Sequence, residues 1–305
     1  MAKTMIADIG NLIYPGIAEL FNRAMKRPRV LQYVPIVREK KIKDLYGHYD
    51  TMGNLGAAEE QLEGQQLNYD KIEHNNRTTL TAKTIYKGVH GTMQSMHFDL
   101  YDEIKNNFGA PMVDTLFDKK ERTVAAVYNG VFATTGADGV YQAANDHPLK
   151  NSTLVNDNLA TGELTVDTLT DAKIMFNHIL TQSGEFFPTR PTHLLIHPDK
   201  MYLALAILNS NLVALELSNT KNVIQDFMPI KVVTNQYLDI NLSTGQSPWF
   251  LLDKTLDAGC VLQTSKGIEL NTWWDWDNLT YKGVAYEIYT AGMIAPGYGF
   301  VASAG

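Results

Sequence analysis

The sequence predicts an α+β fold, and three observations carry that reading. Apolar residues recur at helical spacing from Val113 to Phe132 and mark one long helix. Two threonine-rich arms flank a turn signal at His74, Asn75 and Asn76 and mark a β-ribbon with little apolar surface. From about residue 162 onward, short apolar strands alternate with helices.

The chain has 305 residues, enough for one large domain or two intimate ones, and its 45% hydrophobic content supports a core of ordinary size. A single cysteine, Cys260, excludes an intramolecular disulfide and fits assembly in a reducing cytoplasm. The first residues lack the charged start and apolar run of a secretory signal. No run of about 18 apolar residues occurs, which excludes a membrane-spanning helix. Net charge is -7, against a simple nucleic-acid binder. The charge is uneven: Arg23, Lys26, Arg27, Arg29, Arg38, Lys40, Lys41 and Lys43 face only Glu39, so residues 23–43 carry +7 and the remainder carries -14. Such a segment is either a solvated surface or a contact for phosphate or an acidic neighbour.

In chain order, residues 1–45 read as a short amphipathic helix and an irregular arm. Leu20, Phe21, Ala24 and Met25 recur at helical spacing, and Pro28 stops the pattern. Gly53 to Gln66 is a polar loop leading into the ribbon. The ribbon carries Thr78, Thr79, Thr81, Lys83, Thr84 and Lys87, and two strands so poor in apolar surface are marginal alone. The ribbon therefore projects and is stabilised from outside, most economically by another copy. Asp99 to Asn107 predicts a first helical segment, and Gly109-Ala110-Pro111 restarts a helix, since proline suits a first turn. Val113, Leu116, Phe117, Val124, Val127, Tyr128, Val131 and Phe132 then give a helix of roughly 22 residues, about 33 Å long.

A Gly-, Asn- and Asp-rich loop spans Gly136 to Gly162. Leu169, Ala172, Met175, Phe176, Ile179 and Leu180 mark a helix ending near Gly184. His193–His197 is a strand and Pro198–Leu208 a helix, followed by strands at Ile230–Val233 and Trp249–Leu252. The tail is β-prone, with a hairpin turn at Trp274–Asn278. A compact module near 162–265 is thus inserted into a discontinuous second one.

Enzymatic chemistry finds no firm footing. Asp275 and Asp277 beside Trp273, Trp274 and Trp276 suggest a carbohydrate-active enzyme, but two carboxylates two residues apart on a strand are too close for either glycosidase geometry. His193 and His197 share a strand face, yet Leu194 stands where a zinc-protease motif needs Glu. His147 reads as a loop residue bonded to backbone, and Cys260 as a buried inert thiol. No phosphate-binding glycine loop occurs. No catalytic, cofactor-binding or metal-ligating residue is assigned.

The order of parts, and three strings in particular, resemble a known family. DGVYQAANDHPL (Asp138–Leu149), RPTHLLIHPDKMYLALAILNS (Arg190–Ser210) and PWFLLDK (Pro248–Lys254) are similar to segments of tailed-bacteriophage major capsid proteins, closest to the Mu-like major head subunit family, over roughly residues 12–300. The resemblance implies the Johnson-type capsid fold. Its parts are an N-terminal arm (1–50), an extended β-hairpin loop (51–98), a peripheral domain with the spine helix (99–161), an axial domain (162–265) and closing strands of the peripheral domain (266–305). It implies a non-enzymatic subunit that forms hexamers and pentamers with its own copies, in the icosahedral head of a tailed phage. The implied partners are a scaffolding protein, a portal, decoration proteins and packaged double-stranded DNA on the inner face, with no membrane and no cofactor. Some relatives carry a scaffold region ahead of the arm; here the arm begins almost at Met1, so scaffolding is expected to be a separate protein or a removed segment. An encapsulin nanocompartment shares the fold and is the alternative.

Overall fold

The computed structural model describes residues 19–52, 74–98, 103–150, 152–209, 212–215, 218–221, 229–240, 245–256, 258–295 and 297–305, with single positions between 58 and 69. The first half holds a helix over residues 19–25 (α1), β1 (Arg38–Lys41), β2 (Tyr46–Met52), β3 (His74–Thr81), β4 (Lys83–Thr92), α2 (Met93–His97), α3 (Glu103–Asn129) and the short strands β5 (His147–Pro148), β6 (Val155–Asn156) and β7 (Leu159–Ala160). The second half holds α4 (Val166–Asn177), β8 (His193–Ile196), α5 (Met201–Asn209), β9 (Leu212–Leu215), β10 (Ser218–Lys221), β11 (Lys231–Thr234), β12 (Trp249–Leu252), β13 (Gly259–Asp275), β14 (Thr280–Ile294) and β15 (Phe300–Ser303).

Two sheets organise these elements. One has the order β1-β13-β14-β4, and the other the order β11-β8-β12-β15-β7. Strands of the second sheet are buried on both faces, which is why they read as continuous apolar runs rather than alternating ones. Leu195, Phe250, Leu252 and Phe300 point into a core shared with Val124 and Tyr128 of α3, with Val131 in the 3-10 turn that follows it, and with Leu262 and Tyr289 of the first sheet. Leu194, Ile196, Trp249, Leu251 and Val301 point the other way, against Leu169, Ala172 and Phe176 of α4 and Ala204 of α5. A third cluster joins Phe21 and Ala24 of α1 to Met112, Val113 and Leu116 of α3 and to Tyr281 and Ala285 of β14.

The long helix differs from expectation. It is one continuous element of 27 residues with Pro111 inside it, about 40 Å long, not two segments. Proline removes one backbone donor, yet the helix continues through it, and α1 packs where the sequence looked broken. A Cβ on Gly109 would lie 3.1 Å from Phe21 N and 3.2 Å from its Cα. The Gly-Ala-Pro string is therefore a close helix crossing rather than a helix start.

Four further differences are local. The expected turn at His74–Asn76 is strand: β3 pairs with β2, from Met52 opposite His74 to Tyr46 opposite Thr81. The connection of the ribbon is thus the chain 53–73, and Lys83–Thr92 is not a ribbon arm but an edge strand on β14. The basic stretch is only partly an arm, because Arg38–Lys41 pairs in parallel with Val261–Thr264 of β13. The helix expected to run toward Gly184 ends at Asn177, and Gly184 instead takes a φ of +86° in a turn closed by its N–H donating to the Thr181 carbonyl at 2.9 Å. Strand β8 stops at Ile196, so His197 lies outside it and caps the 3-10 turn Pro198–Lys200, accepting from Asp199 N at 3.3 Å. The hairpin turn near Trp274–Asn278 agrees: β13 ends at Asp275 and β14 begins at Thr280, in antiparallel register.

Candidate assembly surfaces

The β2–β3 ribbon is held at its base and carries polar contacts along its length. Ala82 N donates to the Leu45 carbonyl at 2.8 Å where the ribbon meets β4. Gly47 lies against Gln263 so closely that a Cβ would meet its Oε1 at 1.9 Å, and Tyr49 donates to that same oxygen at 3.4 Å. Farther out, Arg77 makes a two-pronged pair with Asp50 at 2.6 and 2.7 Å, and His48 meets Thr79 Oγ1 at 3.0 Å. At the base Leu80 of β3 is half-buried against Gly292 of β14, where a Cβ would meet its Cδ2 at 2.5 Å. No large apolar side chain of the described strands is fully buried, so their cohesion farther out is polar and local. Tyr46 and Leu45 are more than half exposed at the root.

The first sheet presents two unequal faces. On β14, Tyr281, Ala285, Glu287 and Tyr289 face α3 and are buried. The opposite face carries Tyr86, Trp273 and Tyr286, with Lys266 paired to Glu269 at 2.7 Å and Lys282 to Asp275 at 2.6 Å. Trp273, Trp276, Leu279 and Phe98 are exposed near the hairpin tip.

Beneath α3 lies a pair that the sequence did not reveal. Lys120 Nζ sits 2.8 Å from Glu287 Oε2, with the carboxylate fully buried and the ammonium near the faces of Phe117 and Tyr289. Burial pushes the Glu287 carboxyl above the usual range, and Lys120 opposes the shift. At the next position Glu121 accepts from Gln32 N at 2.7 Å, and burial raises its pKa as well. The signal for Glu287 was one acid in the alternation Tyr281, Ala285, Glu287, Tyr289. Lys120 had none, since it stands in the charged run Asp118–Arg122.

The residues singled out for chemistry are not brought together. Asp275 staples its own turn: it accepts from Asp277 N at 3.2 Å, Asn278 Nδ2 at 3.0 Å and Lys282 Nζ at 2.6 Å. Lys282 first, then Asn278, hold its pKa down to about 2. A carboxylate so committed is a poor acid or base. His193 is lowered chiefly by burial and then by Lys254 and Lys231. His147 is not a surface loop residue bonded to backbone. It is buried, with Nδ1 2.6 Å from Asp138 Oδ2 and Nε2 3.1 Å from Asn158 Oδ1, and it locks the loop after α3. Cys260 is buried and its thiol is pushed up to about 12. Among the described residues no group of His, Cys, Asp or Glu is placed to hold a metal ion, and no helix is long and apolar enough to cross a membrane.

A long helix laid across a sheet, a two-sided second sheet and a ribbon with no core of its own define a shell-forming subunit. The chain belongs to the phage capsid protein family, which matches residues 77–302. A search of curated proteins finds no match. Among solved structures the fold is similar to the cyanophage Pam1 capsid, at a TM-score of 0.59 and 14% identity over 91% of this chain and 93% of that one. It is also similar to the capsid of cyanophage P-SCSP1u, at 0.58 and 12% over 88% and 86%. The holo-SrpI encapsulin complex from Synechococcus elongatus gives 0.54 and 10% over 92% and 91%. The fold is that of tailed-phage capsids, and the protein is a major capsid protein with a structural role.

Proposed function

We propose that this chain closes with its own copies, as hexamers and pentamers, into the icosahedral head of a tailed phage around double-stranded DNA. The observation that carries the reading is the ribbon. The family match begins within its second strand, at residue 77, and its few apolar contacts leave its stabilisation to a neighbour. The four-stranded sheet with α3 is the peripheral part and the five-stranded sheet with α4 and α5 the axial part. The chain performs no catalysis. Assembly takes place in the host cytoplasm with a scaffolding protein and a portal, decoration proteins bind outside, and the chain groups with the Mu-like head subunits.

The likeness to an encapsulin supports a second reading, a compartment that packages protein cargo. Negative-stain microscopy of particles from the native source, with their contents assayed, separates the two. Closed isometric shells holding DNA support the phage head. Shells holding an enzyme and no DNA overturn it, as does a chain found only as a monomer in mature particles' place.

A further inference from the structure

Three cationic side chains, Arg38, Lys231 and Lys254, gather around His193 where one end of the five-stranded sheet abuts β1. Lys231 opens β11 and His193 opens β8, and the two are register partners. On the other side His193 is opposite Leu252 at the end of β12, which brings Lys254 to the same end. Arg38, the first residue of β1, reaches the backbone carbonyls of Lys254 and Thr255 at 3.4 and 3.3 Å. Lys254 Nζ donates to the Val34 carbonyl at 2.8 Å. Sheet register, not side-chain wandering, crowds these charges.

Burial chiefly lowers the pKa of both His193 and Lys254; Lys254 and Lys231 lower that of His193 further, while for Lys254 Glu39 opposes burial and Arg38 and Lys231 add to it. Among the described residues neither Lys231 nor Lys254 forms an ion pair. A fold that holds like charges together in an isolated subunit is relieved by an anion supplied from outside.

The chain carries a matching anion. Beyond the last paired rung of the ribbon, Met52 opposite His74, residues 53–73 contain Glu59, Glu60, Glu63, Asp70 and Glu73 against Lys71 alone, a net charge of -4. Residues 1–18, by contrast, hold one Lys and one Asp. A phosphate backbone is the poorer fit, because it needs a longer basic track, and Glu39 and the buried Asp253 interrupt this one. We propose that the acidic segment 53–73 of one copy seats on the Arg38, His193, Lys231 and Lys254 cluster of an adjacent copy. This rests on the reading of the ribbon as an intersubunit arm and names where the arm lands.

A charge swap in the full-length chain tests it. The patch is reversed by Lys231→Glu with Lys254→Glu. Because Lys254 also bonds Val34, Lys231→Glu alone, at an exposed position, serves as a milder companion. The segment is reversed by Glu59→Lys, Glu60→Lys and Glu63→Lys. Shell yield is read by sedimentation and microscopy, and folding by circular dichroism. Each reversal alone should leave folded subunits with shell formation lost, while both reversals in one chain should restore shells. Co-expressing the two singly reversed chains should rescue assembly as mixed hexameric rings, in which the two chains alternate and each segment meets an opposite patch on its neighbour. A five-membered ring cannot alternate, so this rescue is read as co-sedimenting mixed rings and not as closed shells.

Normal shells from a reversed patch overturn the proposal. So does failure of the combined variant, or rescue by the combined variant without rescue by co-expression, which places the contact inside one copy. Normal empty shells that lose only their DNA also overturn it and make nucleic acid the occupant. Deleting residues 53–73 isolates the underlying reading. Shells that survive the deletion sink the ribbon as an arm, whereas shells lost on deletion but indifferent to patch reversal sink the patch alone.

Discussion

Glu287 is fully buried on β14, and its Oε1 has no hydrogen-bond partner, so its charge depends on Lys120 across the helix–sheet interface. Removing one member of a buried pair costs more than the pair gains, roughly 3–5 kcal/mol, because the survivor stays charged and dry. Lys120→Met is therefore expected to lower the unfolding free energy of the subunit by about that amount, read from urea titrations. The pH dependence has a definite sign. The carboxyl is raised above its unfolded value, so the native state binds the extra proton between the two pKa values and stability falls as pH rises through that window. The Lys120→Met deficit should accordingly be larger at about pH 7 than at about pH 4. Asp275 behaves oppositely. Held down to about 2 by Lys282 and Asn278, it contributes at pH values above the ordinary carboxylate range and loses that contribution as pH falls toward about 2. In the variant Asp275→Asn, hairpin amide exchange measured between pH 4 and 2 should lose this pH dependence. Lys120 was illegible in the sequence because Asp118, Lys119 and Arg122 of the same charged run reach solvent, and only the rotation of α3 turns Lys120 and Glu121 inward.

At the scale of elements, α3 was legible wherever its apolar stripe was regular. Val124 and Tyr128 were expected to face the core, and they are buried at 0% and 1% exposure, with Tyr128 donating to the Ile36 carbonyl at 2.6 Å. Val124→Asp places an unpaired charge there at a cost of several kcal/mol, and insoluble protein is the expected result of expression trials. Where the stripe is interrupted the reading failed, because glycine and proline signal a break locally whatever lies across from them. The missing information was tertiary: α1 crosses at Gly109. A variant Gly109→Val should push α1 away and expose Phe21, costing about 1–3 kcal/mol by overpacking, with limited proteolysis near residue 25 as the check. The ribbon failed in a related way. His74, Asn75 and Asn76 are turn formers, yet pairing with β2 overrides their local preference. The last strands were legible because β13 and β14 are neighbours in sequence and their turn is short. The pairing of β1 with β13 joins residues more than two hundred positions apart, and no local pattern announces it.

For the whole molecule, the question is how a body with three ordinary cores comes to spend so much chain on a ribbon that buries so little. The cores close without it, since none of the three clusters draws on β2 or β3. Shells need contacts that are individually weak, so that misplaced subunits leave, yet collectively large, and permanent interfaces commonly exceed about 2,000 Å². A ribbon that reaches over a neighbour adds area to the assembly without enlarging the body, and its few contacts with its own subunit leave it free to adjust to that neighbour. The consequence is a separation of folding from assembly. Replacing residues 53–73 by a two-residue Asn-Gly turn between Met52 and His74 preserves the register of β2 and β3 and suits a two-residue hairpin. The thermal midpoint of the isolated subunit should then move little, because every buried cluster is intact, while closed shells should disappear from sedimentation profiles. A large drop in the midpoint would show that the segment belongs to the core of its own subunit, and normal shells would show that neighbours do not need it.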